Sequence, residues 1–250
     1  MASPNPAPVV LITGANQGIG YHIAALLSES KISYTLLVGA RNATRGEEAV
    51  AKLNKTKPNE GTVIAPLVVD IDSHDSILGA VAEVEKIYTR LDILINNAAI
   101  MTFTGERSDW AKVFTTNVIG TVDITQCFAP LLNSSATPKV VVVSSSMGSI
   151  TMAESSPKHP LAKDASPYRA SKAAINMVMV EWVKYLPSIK FWGVDPGLCA
   201  TDFGGEYSRS KGRDPKEGAE IVRQCIEGER DEYIGKVVFD QFGETGARPW

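Results

Sequence analysis

The sequence predicts an α/β chain folded as one doubly wound, mostly parallel sheet of about seven strands with helices on both faces. Three observations carry this. Short apolar runs alternate with longer segments of helical periodicity, the order expected when a crossover helix follows each strand. The runs are apolar at successive residues rather than at alternate ones, as strands buried on both faces require. A glycine-rich turn, Thr13-Gly14-Ala15-Asn16-Gln17-Gly18-Ile19-Gly20, follows the first run directly and opens the first helix.

The elements follow in order. Strands are expected at 9–13, 34–40, 63–69, 92–95, 140–143 and 190–194, with a seventh at 236–239. Helices are expected at 19–30, 45–54, 74–88, 109–132 and 167–186. A last helix begins with Asp214 as N-cap and Pro215 inside it. Ser166 is the expected N-cap of the 167–186 helix and Pro167 its first residue. The pattern shows no internal repeat and no linker, so residues 1–250 read as a single domain behind a flexible, Pro-rich lead-in at 1–8. Two polar segments, 149–166 and 198–213, break the alternation. Both follow strand ends of the kind where open α/β sheets bind ligands, and both are expected to wall a substrate cleft as loops.

Composition narrows the function. A hydrophobic fraction of 44% fills a core, and a net charge of −3 without a basic block argues against nucleic acid or an anionic membrane as partner. Cys127, Cys199 and Cys225 are too far apart in sequence to suggest a disulfide framework or a zinc site, and no metal is expected. The N-terminus lacks a signal-peptide pattern, and no apolar stretch is long enough for a membrane span. A cytoplasmic location is the expectation.

Two constellations carry chemistry. Tyr168 and Lys172 stand four apart on a predicted helix and therefore share a face. An ammonium beside a phenol favours the phenolate, which makes the pair a candidate acid/base. Tyr207 and Lys211 repeat the spacing between glycines, in a segment expected to be a loop that does not hold the two side chains in register. The second constellation is the glycine turn. Its backbone can approach a pyrophosphate closely, and the helix behind it offers N–H donors, so Gly14, Asn16, Gln17, Gly18, Ile19 and Gly20 are candidate dinucleotide contacts. Arg41 lies about 20 residues on, where NAD-binding folds place an acidic residue. With Asn42 next to it and no Asp or Glu from 38 to 44, it points to a 2′-phosphate and to NADP(H), with Arg45 as helper.

These motifs resemble, in order and over nearly the whole chain, the short-chain dehydrogenase/reductase family, closest in pattern to its NADPH-dependent carbonyl reductases. Thr13 to Gly20 is similar to the family's Thr-Gly-x3-Gly-x-Gly. Asp70-Ile71, Asn96-Asn97-Ala98-Ala99, Asn117, Ser144-Ser145-Ser146-Met147-Gly148, Tyr168-Arg-Ala-Ser-Lys172, and Pro196-Gly197-Leu198 with Thr201 match later blocks. The resemblance implies a Rossmann fold with Asn117, Ser145, Tyr168 and Lys172 as the catalytic set. It further implies that Asp70 and Ile71 meet the adenine and that Asn97, Ala98 and Ala99 line the cofactor. Pro196, Gly197, Leu198 and Thr201 would hold the nicotinamide, Tyr168 and Lys172 would also touch the ribose, and Asn117 would anchor a water leading to Lys172. Strand alternation alone puts Ser144 and Ser146 on one face and Ser145 on the other; only the family register selects Ser145.

The expected activity is reversible reduction of a ketone or aldehyde of a small hydrophobic molecule, with Tyr168 as proton donor. Met101, Phe103, Met147, Ile150, Met152, Cys199, Phe203 and Tyr207 hint at apolar walls. Two other readings remain at this stage: recruitment to a natural-product tailoring or isomerisation step, and a non-catalytic NADP-binding regulator. Monomer, dimer and tetramer are all compatible with the sequence.

Overall fold

The computed structural model describes residues 7–56, 58–155, 165–241 and 243–250. Its strands are β1 (Val9–Ile12), β2 (Thr35–Ala40), β3 (Val63–Val68), β4 (Ile93–Asn96), β5 (Lys139–Val143), β6 (Lys190–Asp195), β7 (Val237–Gln241) and β8 (Glu244–Ala247). They form one sheet in the order β3-β2-β1-β4-β5-β6-β7-β8. The first seven run parallel and β8 returns antiparallel to β7. Strand order reverses between β1 and β4, and the crevice outside their C-terminal ends is the ligand position of such sheets.

The central strands carry apolar residues at successive positions because neighbouring side chains enter two different cores. Leu11, Leu94, Val140 and Phe191 pack into one with Phe128 and Met179. Ile12, Ile95, Val141 and Trp192 pack into the other with Ile23 and Val222. The flanking helices are α1 (Gly18–Ser28), α2 (Ala43–Leu53), α3 (His74–Tyr88), α4 (Arg107–Phe114), α5 (Thr121–Asn133), α6 (Ile150–Ser155), α7 (Ser166–Tyr185), α8 (Gly205–Lys211) and α9 (Pro215–Ile226). No described helix is long and apolar enough to cross a membrane.

Several expectations change. The sheet has an eighth strand, whose side chains are mostly exposed and so leave no apolar run to read. The helix expected at 109–132 is α4 and α5 joined by a π-helical turn, Thr115–Gly120. Gly120 packs against the backbone there: a Cβ on it would sit 2.4 Å from the Ile71 carbonyl oxygen. Ser166 is the first residue of α7 rather than its cap; Ala165 takes the cap position without a side-chain bond. Of the lead-in, residues 1–6 lie outside the described part, and Pro8 is held rather than loose: its carbonyl accepts from Thr35 N–H at 2.9 Å.

The 198–213 segment is not a loop throughout. A 3₁₀ turn, Asp202–Gly204, leads into α8, so Tyr207 and Lys211 do lie on a helix. Buried Ser208 makes this fold: its hydroxyl donates to the Thr201 carbonyl at 2.7 Å and accepts from Gly204 N–H at 3.1 Å. The 149–166 segment likewise begins with α6; residues 156–164, including His159, lie outside the described part.

Candidate active site

The glycine turn is built to leave its front face open. Gly14 and Gly18 adopt φ of +62° and +58°, where an L side chain is strained. A Cβ on Gly20 would fall 2.4 Å from Asn97 Nδ2 and 2.7 Å from the Gly14 carbonyl oxygen. Asn97 does not enter the cleft: its Nδ2 donates to the Thr13 and Gly14 carbonyls at 2.8 and 3.2 Å and holds the turn from behind. Thr13 Oγ1 accepts from both Asn97 N–H and Ala98 N–H at 3.0 Å. Ala99 does not take a positive φ, so its methyl group is accommodated without backbone strain.

Gln17 precedes α1 in an extended conformation and gives it no side-chain cap. The first N–H groups of α1 are thus left for an anion, and the glycine cradle in front of them fits a pyrophosphate. Across the cleft, a Cβ on Gly18 would lie 3.7 Å from Thr201 Cγ2, so the turn faces the segment after β6. Arg41 and Arg45 are exposed just beyond β2. Asn42 is spent on capping α2, its Oδ1 accepting from Arg45 N–H at 2.9 Å. Asp70 is half-buried, with its Oδ1 taken by Asp72 N–H, and Ile71 is buried behind it.

The candidate catalytic residues meet where β5 ends against α7. Ser144 is buried and its hydroxyl donates to Asn176 Oδ1 at 2.6 Å. Ser146 enters the 3₁₀ turn Ser146–Gly148. Ser145 hydrogen-bonds to the Tyr168 phenol, and its Oγ accepts from Met147 N–H at 3.1 Å. Of the three serines, Ser145 is the one beside the Tyr168 phenol. Gly148 makes this meeting possible, since a Cβ there would lie 2.8 Å from Lys172 backbone and side-chain carbons. Lys172 is buried, donates to the Val143 carbonyl at 2.7 Å, and sits 5.6 Å from the centre of the Tyr168 ring.

Asn117 stands in the π-helical turn. Its Nδ2 donates to the Ile100 carbonyl and to Ser171 Oγ at 2.9 and 3.1 Å, and its Oδ1 accepts from Ile100 N–H at 2.8 Å. It pins the segment after β4 to α7. Phe203 covers Tyr168 edge-on, with ring centres 5.6 Å apart. Cys199, expected as a wall, is instead buried, with its thiol on the Pro196 carbonyl and against Gly218.

Burial governs the protonation of this pair. Desolvation lifts the Tyr168 phenol well above its ordinary range; the Ser145 hydrogen bond opposes this and buried Asp195 adds to it. The same desolvation pulls Lys172 down to about 8. The expected preference for phenolate is therefore overridden, because each group pays for charge in a low-dielectric site. A phenol that keeps its proton is suited to donate one.

The Lys172 shift has a measurable consequence. Above pH 8 the native lysine loses its proton, while the unfolded one keeps it to about 10.4. In that window the unfolded state binds more protons, so stability rises with pH. We expect the wild type to gain about 2 kcal/mol on Lys172→Met between pH 8 and 10, read by urea unfolding without cofactor. Parallel stability curves for the two proteins would contradict the assignment.

The segment after β6 depends on residues that no motif reveals. Asp195, 1% exposed, accepts from Arg248 Nε at 2.8 Å, from Gln241 Nε2 at 3.1 Å and from Gly197 N–H at 3.1 Å. Arg248 also lies 3.6 Å over the Phe239 ring. Arg213 donates to the Pro196 carbonyl through Nε and Nη2, at 3.0 and 2.7 Å. Gly197 turns at φ +73°, and Leu198 is exposed. Two arginines from the C-terminal part of the chain thus fix Pro196 to Thr201, and only the spatial arrangement identifies them.

Comparison with known proteins agrees with this architecture. The family model described as short chain dehydrogenase matches residues 8–212. The chain is 34% identical to the short-chain dehydrogenase/reductase eupG of Phoma sp, over 93% of this chain and 94% of that protein. It is 38% identical to the short-chain dehydrogenase anuI of Penicillium roqueforti, over 94% of each. Among solved structures, NADPH-bound carbonyl reductase from chicken fatty liver superposes with a TM-score of 0.79 at 24% identity, covering 98% of this chain and 99% of that one. A 7 alpha-hydroxysteroid dehydrogenase complexed with NADH superposes at 0.77 and 19% identity, covering 96% and 94%. These two share the fold across both cofactors. With a match of this extent, the chain belongs to the short-chain dehydrogenase/reductase family of oxidoreductases.

Proposed function

We propose that the protein is an NADPH-dependent reductase of a ketone or aldehyde with an apolar body. The observation that carries this reading is the buried Tyr168 phenol, next to Ser145 and with the Lys172 ammonium 5.6 Å from its ring centre. A dinucleotide pyrophosphate fits the Gly14 to Gly20 cradle at the open end of α1, with Arg41 and Arg45 for a 2′-phosphate. Leu198 and Thr201 would hold the nicotinamide, and Lys172 the ribose. When bound, NADPH supplies a hydride to the carbonyl carbon. Tyr168 gives its proton to the substrate oxygen as negative charge develops there, and Ser145 donates a hydrogen bond to the same oxygen. The neighbouring Lys172 ammonium lowers the cost of the phenolate left behind. Asn117 acts by position, holding the cleft wall at Ile100 to α7. The Phe203 ring over Tyr168 argues for an apolar substrate face and keeps water off the phenol.

The test is cofactor consumption against a panel of aromatic and aliphatic ketones, with product analysis. We expect NADPH to be used in preference to NADH and an alcohol to form in equal amount. Arg41→Glu should raise the KM for NADPH by about 10- to 100-fold, the worth of a charge-assisted phosphate contact, and leave that for NADH unchanged. Equal use of both cofactors, unaltered in Arg41→Glu, would refute the NADP reading.

A further inference from the structure

We infer that His74, Asp123 and Cys127 form a zinc-binding site joining α3 to α5, independent of the proposed reaction. His74 opens α3, while Asp123 and Cys127 stand four apart on α5 and share one face. One ligand atom from each converges so that all lie within 4.8 Å of one another. His74 Nδ1 is 2.9 and 3.0 Å from the two Asp123 oxygens, and Cys127 Sγ is 3.5 Å from Asp123 Oδ1.

Those separations are close to the edges of a tetrahedral zinc centre. With bonds of about 2.0 Å to nitrogen and oxygen and about 2.3 Å to sulfur, neighbouring ligand atoms stand about 3.3 Å apart for N and O and about 3.5 Å for S and O. The backbone therefore presents the donors nearly in place, and the remaining histidine–sulfur edge closes by side-chain rotation. His74 has that freedom, its side chain being 60% exposed. One imidazole, one thiolate and one carboxylate suit Zn²⁺ rather than Mg²⁺ or Ca²⁺, which take oxygen ligands. Water completes the fourth position on the exposed side.

On binding, the Cys127 S–H bond breaks, its proton goes to solvent, and the sulfur lone pair bonds the metal. His74 binds through the Nδ1 lone pair, with its ring proton on Nε2. No redox change is involved. In the metal-free chain the thiol holds its proton: burial and the adjacent Asp123 both raise it. The site flanks the candidate active site on two sides. His74 follows Asp70-Ile71 along the chain, and α5 continues from the turn that carries Asn117. The ion acts as a clamp between these segments, so its signature is stability.

The experiment is titration of chelator-treated full-length protein with Co²⁺ and then Zn²⁺. One equivalent of Co²⁺ should produce the near-ultraviolet thiolate-to-cobalt band and tetrahedral visible bands, both abolished by Zn²⁺. At about a hundredfold excess over Kd, Zn²⁺ should raise Tm by about 5–10 °C. Cys127→Ser should lose the charge-transfer band. His74→Ala, a change at an exposed ring that leaves the fold intact, should lose the Tm shift. Absence of the band in the wild type, its survival in Cys127→Ser, or an unchanged Zn²⁺ shift in His74→Ala would overturn the site. In each case an ordinary His74–Asp123 ion pair would be left.

Discussion

Tyr168→Phe is expected to keep its fold and its affinity for NADPH while losing about 10²- to 10⁴-fold in turnover, the usual contribution of a general acid. The substitution removes one oxygen from a buried ring and leaves the apolar contact with Phe203 in place. It removes the group that, among the described residues, stands beside Ser145 with a proton to give. Lys172 is turned to the Val143 carbonyl, and the Ser144 hydroxyl is committed to Asn176. Burial holds the phenol protonated, so the wild-type loss of turnover on the alkaline side should track Lys172, near pH 8, before the phenol itself titrates. Steady-state turnover and fluorescence titration of NADPH on the same preparation separate the two effects. Turnover within tenfold of wild type would show that another group delivers the proton.

Asp195→Ala is expected to be the most damaging single change outside the reacting group. Breaking a buried pair leaves the other charge uncompensated and costs about 3–5 kcal/mol. Here it strips Arg248 of its carboxylate, leaves Gly197 N–H without its acceptor and leaves Gln241 Nε2 only the Asp195 backbone carbonyl at 3.4 Å. At about 2–4 °C per kcal/mol for a chain of this size, Tm should fall by about 6–20 °C. Asp195→Asn, which keeps an acceptor and the shape, should lose less. A double-mutant cycle with Arg248→Met should return a coupling of about 1 kcal/mol or more. Additive losses, or a fall of under 1 kcal/mol in Asp195→Ala, would show that the tail does not support the segment after β6.

The parts of this fold that the sequence discloses are those where burial acts on contiguous residues. β1, β4 and β5 are legible because both of their faces enter a core, so the stretches 9–12, 93–95 and 140–143 are apolar at successive residues. β8 is hidden because its residues are mostly exposed. The π-helical turn is hidden because one extra residue per turn barely disturbs a long helical pattern, and only the close approach of Gly120 to Ile71 requires it. α8 was masked by its glycines, since Ser208 supplies bonds that propensity does not count.

The site divides in the same way. The glycine cradle and the Tyr168–Lys172 pair are local, so spacing reveals them. The choice among three serines depends on Gly148 admitting α7 to the end of β5, a contact between distant segments. Asn97 and Asn42 carry motif positions yet use their side chains on the framework, holding the glycine turn and capping α2. Arg213 and Arg248 belong to no pattern. The charge beside Tyr168 is visible in the spacing, whereas the desolvation that raises the phenol is a property of the packed chain.

Transfer of hydride with proton donation from Tyr168 is the central claim, and isotope transfer tests it most directly. NADPH deuterated on the transferring face of C4 is mixed with the wild-type enzyme and the best ketone of the panel, and the alcohol is analysed by mass spectrometry. The account predicts one deuterium on the carbinol carbon in the wild-type product and a rate lower by about 10²-fold or more in Tyr168→Phe. An alcohol or isomer formed without deuterium, or NADPH bound tightly with no transfer to any carbonyl, would contradict it.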